Sequence, residues 1–132
     1  MRVAQEQVEA FHRKMSYPVA PFNHPAPIPK ELADQRYRFI AEELNELDEA
    51  MADDNLVEVA DALADLLYVV LGTAVVFGID IAPIFNEVHR SNMTKDRLDP
   101  ITKKGGKGPG FEKPRLAELV LLQMTKLAEP IG

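Results

Sequence analysis

Two groups of carboxylates are the residues of this chain best suited to chemistry. Glu58, Asp61 and Asp65 follow one another at i, i+3 and i+7. On a helix turning about 100° per residue they share an arc of about 60°. No Lys or Arg occurs from Leu56 to Phe77, where the other residues are Leu, Val, Ala, Tyr, Phe, Gly and one Thr. Carboxylates buried in such surroundings need a cation or must hold protons. Glu42, Glu43 and Glu46 form a second group just upstream. Two facing acidic clusters offer many hard oxygen ligands, which select Mg²⁺, with Mn²⁺ as a substitute, over zinc. Salt bridges from Arg36, Arg38 or Lys95 would satisfy the same carboxylates without a metal. No helix offers the Glu-x-x-His pair of a di-iron bundle, and Glu87-Val88-His89 has the wrong spacing for it.

A magnesium site needs a ligand to act on, and a polyphosphate suits it best. Asn92 and Lys95 fall on the same helical side as Phe85 and Val88, an apolar side expected to face inward. There they would meet phosphate, or Lys95 would pair with a site carboxylate. His89 reads as structural. Lys103, Lys104 and Lys107 lie on a glycine-rich loop; Lys107 is the candidate for closing over phosphate, while Lys103 and Lys104 read as solvated. The loop's GGKGPG is not the phosphate-cradling G-x-x-x-x-G-K-[ST] pattern.

Positioning these groups requires helices. Residues 2–14 read as an amphipathic helix with Val3, Val8 and Phe11 inward. Five of the ten prolines fall between residues 16 and 30, so that stretch is extended, either a linker or a lid carrying Tyr17, Phe22, Asn23 and His24. A second helix is predicted over 31–52, with a stripe of Tyr37, Ile40, Leu44, Leu47 and Met51. Asp53-Asp54-Asn55 signals a turn and cap. A third helix spans 56–77 and stops at Gly78. Asp80 caps a fourth, which runs to about Thr94 with Pro83 in its first turn. Residues 96–112 form a flexible basic loop, and a last helix covers 114–128. There is no strand pattern, repeat or second domain. The prediction is one all-α domain over 1–132: a four-helix bundle core at about 31–95 with an added short terminal helix.

A formal charge of −6 argues against general nucleic-acid binding. The absence of cysteine excludes disulfides and thiolate metal sites and suits a reducing cytoplasm. The N-terminus has no signal-peptide core. The uncharged run from Leu66 to Phe77 falls short of the roughly 20 residues that span a bilayer. These features predict a soluble, cytoplasmic protein. A third helix apolar over most of its circumference predicts a homodimer or higher homo-oligomer.

Four blocks in order carry a family resemblance: Glu42-Glu43-Leu44-Asn45-Glu46, then Ala64-Asp65-Leu66-Leu67-Tyr68-Val69, then Gly78-Ile79-Asp80, then Glu87 to Lys95 as EVHRSNMTK. Over about residues 31–112 the chain resembles the all-α nucleoside triphosphate pyrophosphohydrolases, the MazG-like, phosphoribosyl-ATP pyrophosphohydrolase-like and dimeric dUTPase-like group. The resemblance implies a four-helix core, an oligomer, and Mg²⁺-dependent cleavage between the α- and β-phosphates of a nucleoside triphosphate. It places Glu42, Glu43, Glu46 and Asp65 on the metal motif, and Asn92 and Lys95 on the phosphate motif. Glu43 is the expected base. The chain departs from the family at Ala62, where the second acidic pair, E-x-x-D, should have its Glu. Either Asp61 replaces it or the site is built from Glu58 and Asp61. The same departure admits a relative that binds nucleotide without cleaving it. Phe22, Tyr17 or Phe111 would stack on the base, Phe22 being the choice, and dUTP is the first substrate to try.

Overall fold

Cap and turn residues set the boundaries of five helices in the computed structural model, which describes residues 1–125. These are α1 (Arg2–Lys14), α2 (Lys30–Ala52), α3 (Leu56–Phe77), α4 (Ile81–Asn92) and α5 (Leu116–Thr125). Asp54 takes a left-handed φ of 51° in the α2–α3 turn, and Asn55 accepts the Glu58 N–H at 3.2 Å to start α3. Gly78 ends α3 at φ 76°, and Asp80 accepts the Ala82 N–H at 3.3 Å to start α4. The all-α prediction holds. The last helix begins at Leu116, two residues after Pro114, and the expected residues 126–128 lie outside the described ones.

The bundle is organised around α3, which packs along α2 and against α1. α4 packs on α5 and touches α1. The core is small: Val8, Leu71 and Val75, flanked by Ala4, Val19 and Ile81. The face that α2 buries carries Arg36, Leu47 and Ala50, with Phe39, Ile40 and Glu43 half-buried. The predicted stripe is therefore rotated. Tyr37, Leu44 and Met51, spaced by seven, are 72%, 54% and 53% exposed. Among the described residues α2 packs chiefly on α3, so one seam of it is covered. α3 likewise exposes Leu56, Leu63, Leu67 and Val70. By length and composition α3 is apolar enough to cross a membrane. Its three carboxylates and its packing on α1 and α2 fit a central bundle helix.

The proline-rich segment is neither a free linker nor a lid over the carboxylates. Ala20 N–H donates to Val75 O at 3.2 Å, Ala26 N–H to Phe77 O at 3.1 Å and His24 N–H to Gly78 O at 3.0 Å. It thus supplies donors to carbonyls in the last turn and cap of α3, of which Val75 O also takes the Gly78 N–H. A Cβ on Gly78 would sit 2.8 Å from both Pro21 O and His24 O, so only glycine lets the strap lie this close. Two glutamine amides then grip the α3–α4 turn. Gln123 bonds both backbone groups of Asp80 at 3.1 and 3.0 Å, and Gln5 bonds Ile79 O at 2.7 Å and Ile81 N at 3.1 Å. Arg2 adds a 2.6 Å ion pair to Asp80.

The basic loop is also more ordered than its glycines predict. Asp99 Oδ1 accepts the N–H groups of Ile101 and Thr102 at 2.8 and 2.9 Å, and Leu98 bridges to Gly105. Its return is fastened to α4: Ser91 Oγ donates to Glu112 O at 2.7 Å, and Thr94 Oγ1 accepts the Glu112 N–H at 2.9 Å.

Candidate active site

The antiparallel pairing of α2 and α3 brings together Glu43, Glu46 and Asp65. One oxygen from each lies within 4.8 Å of the others. Glu43 and Glu46 share a face of α2 at i, i+3, and Asp65 projects from the middle of α3. Glu43 and Asp65 are half-buried and Glu46 is exposed. Glu43 Oε2 is fully buried with no hydrogen-bond partner. The ion pairs among the described residues are Arg2–Asp80, Arg13–Glu9, Arg90–Glu87 and Arg90–Glu112, so none reaches the trio. Arg36, one expected salt-bridge donor, turns instead to Thr73 Oγ1 and Val69 O.

Uncompensated charge has the physical consequence it should. Burial first, then the neighbouring carboxylates of Glu46, Asp65 and Glu42, push the Glu43 carboxyl up to about 7. Burial, then the charges of Asp61 and Glu46, raise Asp65 as well. Three carboxylates in this space, one with an orphaned buried oxygen and none with a cation, fit a hard divalent ion as ligands.

The remaining candidates lie outside the trio. Glu42 and Asp61 are exposed beside it and act on it through their charge. Glu58 is exposed in the first turn of α3, outside the trio. Ala62 is 3% exposed, so the position where the family pattern has Glu belongs to the packed interior here. Asn92 is exposed at the end of α4, and Phe85, expected inward beside it, is 51% exposed. With half-buried Lys95, Asn92 lines a cleft of about 460 Å³ along Asp96, Arg97, Leu98 and Gly105. Lys107 lines a separate cleft of about 540 Å³ along the same loop, with its ammonium 5.3 Å from the Phe111 ring centre. Phe22 lies under the Arg2 guanidinium, against Gln5, Glu9 and Gly78. Gly78 is thirteen residues beyond Asp65, about 20 Å along α3, so Phe22 is remote from the trio.

Within EVHRSNMTK the structure separates two duties. Glu87, Arg90, Ser91 and Thr94 hold the returning loop, and Glu87 takes the Arg90 guanidinium at 2.6 and 3.1 Å and the Arg115 N–H at 2.9 Å. These bonds hold its carboxyl down at about 2. Among the described residues the side chains of Asn92 and Lys95 make no such bonds. Sequence reasoning missed Gln5 and Gln123, because a buried glutamine looks like any surface one. It also missed His12, and it read Arg36 only as a salt-bridge donor to the carboxylates; both are buried. Their signals were a basic residue one turn from Phe39 and Ile40, and Gly72 within a run of bulky residues on the facing helix.

An all-α bundle with a carboxylate trio across two antiparallel helices defines the class: a helical protein with a candidate divalent-cation site. The chain belongs to the phosphoribosyl-ATP pyrophosphohydrolase family, whose profile matches residues 8–92, from α1 through α4. The resemblance drawn from the sequence blocks therefore holds, and it extends to α1. The chain is also similar to Uncharacterized protein L479 of Acanthamoeba polyphaga mimivirus, at 48% identity over 46 residues. That match covers 35% of this chain and 18% of the viral protein, so the chain spans under a fifth of that relative's length.

Proposed function

We propose that this protein is a soluble, Mg²⁺-dependent nucleoside triphosphate pyrophosphohydrolase that releases a nucleoside monophosphate and pyrophosphate. The observation that carries this reading is the Glu43–Glu46–Asp65 trio with the orphaned Glu43 oxygen. A Mg²⁺ ion held by the trio, with Glu42 and Asp61 adding negative charge nearby, would offset phosphate charge and polarise the phosphoryl oxygens. Mn²⁺ would serve as a substitute.

The chain's own groups account for the rest. Glu43 takes the proton of the attacking water as its oxygen bonds to the α-phosphorus. The bond from that phosphorus to the bridging oxygen breaks, and pyrophosphate leaves. Asn92, Lys95 and Lys107 orient the phosphates and offset developing charge on them.

The working form is a homo-oligomer. Tyr37, Leu44 and Met51 on α2 and Leu56, Leu63, Leu67 and Val70 on α3 give two exposed apolar rows on the antiparallel pair. Rows of this kind mark an interface. A second copy supplies the complementary face by symmetry.

The test is pyrophosphate release with Mg²⁺ from each (d)NTP, dUTP included, and from phosphoribosyl-ATP. Turnover of at least one that stops with EDTA supports the reading. Binding without release from any of them would establish the non-cleaving alternative that Ala62 raises.

A further inference from the structure

One turn above the carboxylate trio, the same α2–α3 groove opens into a pocket of about 160 Å³. Phe11, Tyr17, Phe39 and Tyr68 line it, together with His12, Arg36 and Val69. Phe11 meets Tyr17 and Tyr68 edge-on at 5.9 and 5.6 Å. A dry cavity of about 150 Å³ holds a benzene ring, so the space suits one flat heterocycle. Phe39 lies four residues from Glu43, and Tyr68 three from Asp65, each about one turn or 5 Å along its helix. A ring here and phosphates at the trio are within the reach of a single nucleotide.

The floor of the pocket holds two polar groups with capacity to spare. Arg36 is 5% exposed and has no carboxylate partner among the described residues. Its Nε donates to Thr73 Oγ1 at 3.2 Å and its Nη2 to Val69 O at 2.9 Å. Those two bonds need only a neutral donor; the charge itself lies over the Phe39 ring, 5.2 Å from its centre, and Nη1 has no hydrogen bond among the described residues. His12 is 3% exposed, and its Nδ1 pairs with Pro18 O at 3.0 Å. A carbonyl partner fixes the proton on Nδ1 and leaves Nε2 as an acceptor. Burial, reinforced by the nearby Arg36 charge, keeps this imidazole below its ordinary range and therefore neutral at pH 7. The two groups are neighbours: a Cβ on Gly72 would lie 2.5 Å from Arg36 Nη2 and 2.8 Å from His12 Nε2.

We propose that this pocket receives the base of the substrate nucleotide, with Tyr68 and Phe39 as stacking walls and Arg36 and His12 as specificity-determining residues. The inference rests on the catalytic reading above and adds to it the choice of base. Arg36 donates and His12 accepts, so the matching base edge places a carbonyl beside a ring N–H. Uracil, thymine, guanine and hypoxanthine have that edge. Their oxygen takes a charge-assisted bond from the guanidinium, whereas adenine and cytosine would offer it a ring nitrogen.

The test is binding of nucleoside monophosphates in EDTA, followed by NMR of the His12 and tyrosine rings, beside pyrophosphate release from the matching triphosphates. The expected result is perturbation of His12 and Tyr68 and preference for the oxo bases. In His12→Gln and Arg36→Lys that preference falls about tenfold or more. Arg36 is buried and its variant is liable to misfold, so Tyr68→Ala, at a wall 38% exposed, is the second arm. It weakens monophosphate binding about 5- to 150-fold and leaves Mn²⁺ affinity as in the wild type. A base profile unchanged in the floor variants, a preference for adenine or cytosine, or unchanged binding in Tyr68→Ala each overturns the proposal. Hydrolysis with an unaltered base profile removes the base site and leaves the catalytic reading standing. Monophosphates seated in the pocket of a protein that cleaves no triphosphate do the reverse.

Discussion

Replacing Glu43 with Gln removes a charge that the metal-free fold resists. The carboxyl rises from 4.5 to about 7, and one unit corresponds to about 1.36 kcal/mol, so the full shift would be about 3.4 kcal/mol. Glu46 and Glu42 are exposed, and solvent and salt screen their share, which brings the expected effect to about 1–2 kcal/mol. The sign follows from proton linkage. A group whose pKa is higher in the folded state stabilises the fold fully below the unfolded value of 4.5. That stabilisation is lost as pH rises through about 7. At pH 8 in EDTA, Glu43→Gln therefore melts above the wild type by about 3–8 °C for a chain of this length. At pH 5 most of the difference disappears, because the wild-type carboxyl is protonated in the fold. Saturating Mg²⁺ reverses the order: at a hundred times Kd it adds about 2.7 kcal/mol to the wild type and less to the variant. Differential scanning calorimetry at the two pH values, with and without Mg²⁺, reads all four quantities. A variant that melts at or below the wild type at pH 8 in EDTA would refute the claim of uncompensated charge. An equal Mg²⁺ shift in both proteins would remove Glu43 from the metal site.

Asp65→Asn lowers Mn²⁺ affinity, measured by titration calorimetry, by more than about tenfold, and Asp61→Asn, acting from beside the trio, by about 10-fold or less; equal affinities in both variants and the wild type would exclude them from the site. Lys95→Ala raises the KM for triphosphate and leaves Mn²⁺ affinity unchanged; the reverse pattern would show that Lys95 serves the carboxylates. Gly78→Ala meets a left-handed φ and the carbonyls of Pro21 and His24, and loses at least about 1–2 kcal/mol in denaturant titration. Leu63→Glu, at an exposed position on α3, shifts the protein toward monomer in sedimentation velocity; a wild type that is already monomeric would end the oligomer proposal.

Helix boundaries were legible because they rest on local chemistry. Asn55, Gly78 and Asp80 act within three or four residues of themselves, and α1 and α3 run over the predicted residues. The shared face of Glu43 and Glu46 was legible for the same reason, since spacing on one helix fixes it. Which carboxylates meet was not legible, because it depends on the register of α2 against α3. That register selects Glu43, Glu46 and Asp65, leaves Glu58 outside and fills position 62 with a buried alanine. The apolar stripe of α2 was misplaced by about one residue for a related reason: periodicity reports a face, and only the partner helix decides which edge of it is covered. The strap of residues 18–26 on the end of α3, the glutamine grip on Asp80 and the Arg36–His12 floor all join residues far apart in sequence. Gln5 and Asp80, or His12 and Gly72, carry no mutual signal along the chain. Their chemistry exists only once the fold has excluded water from between them and left each buried polar group to find its partner.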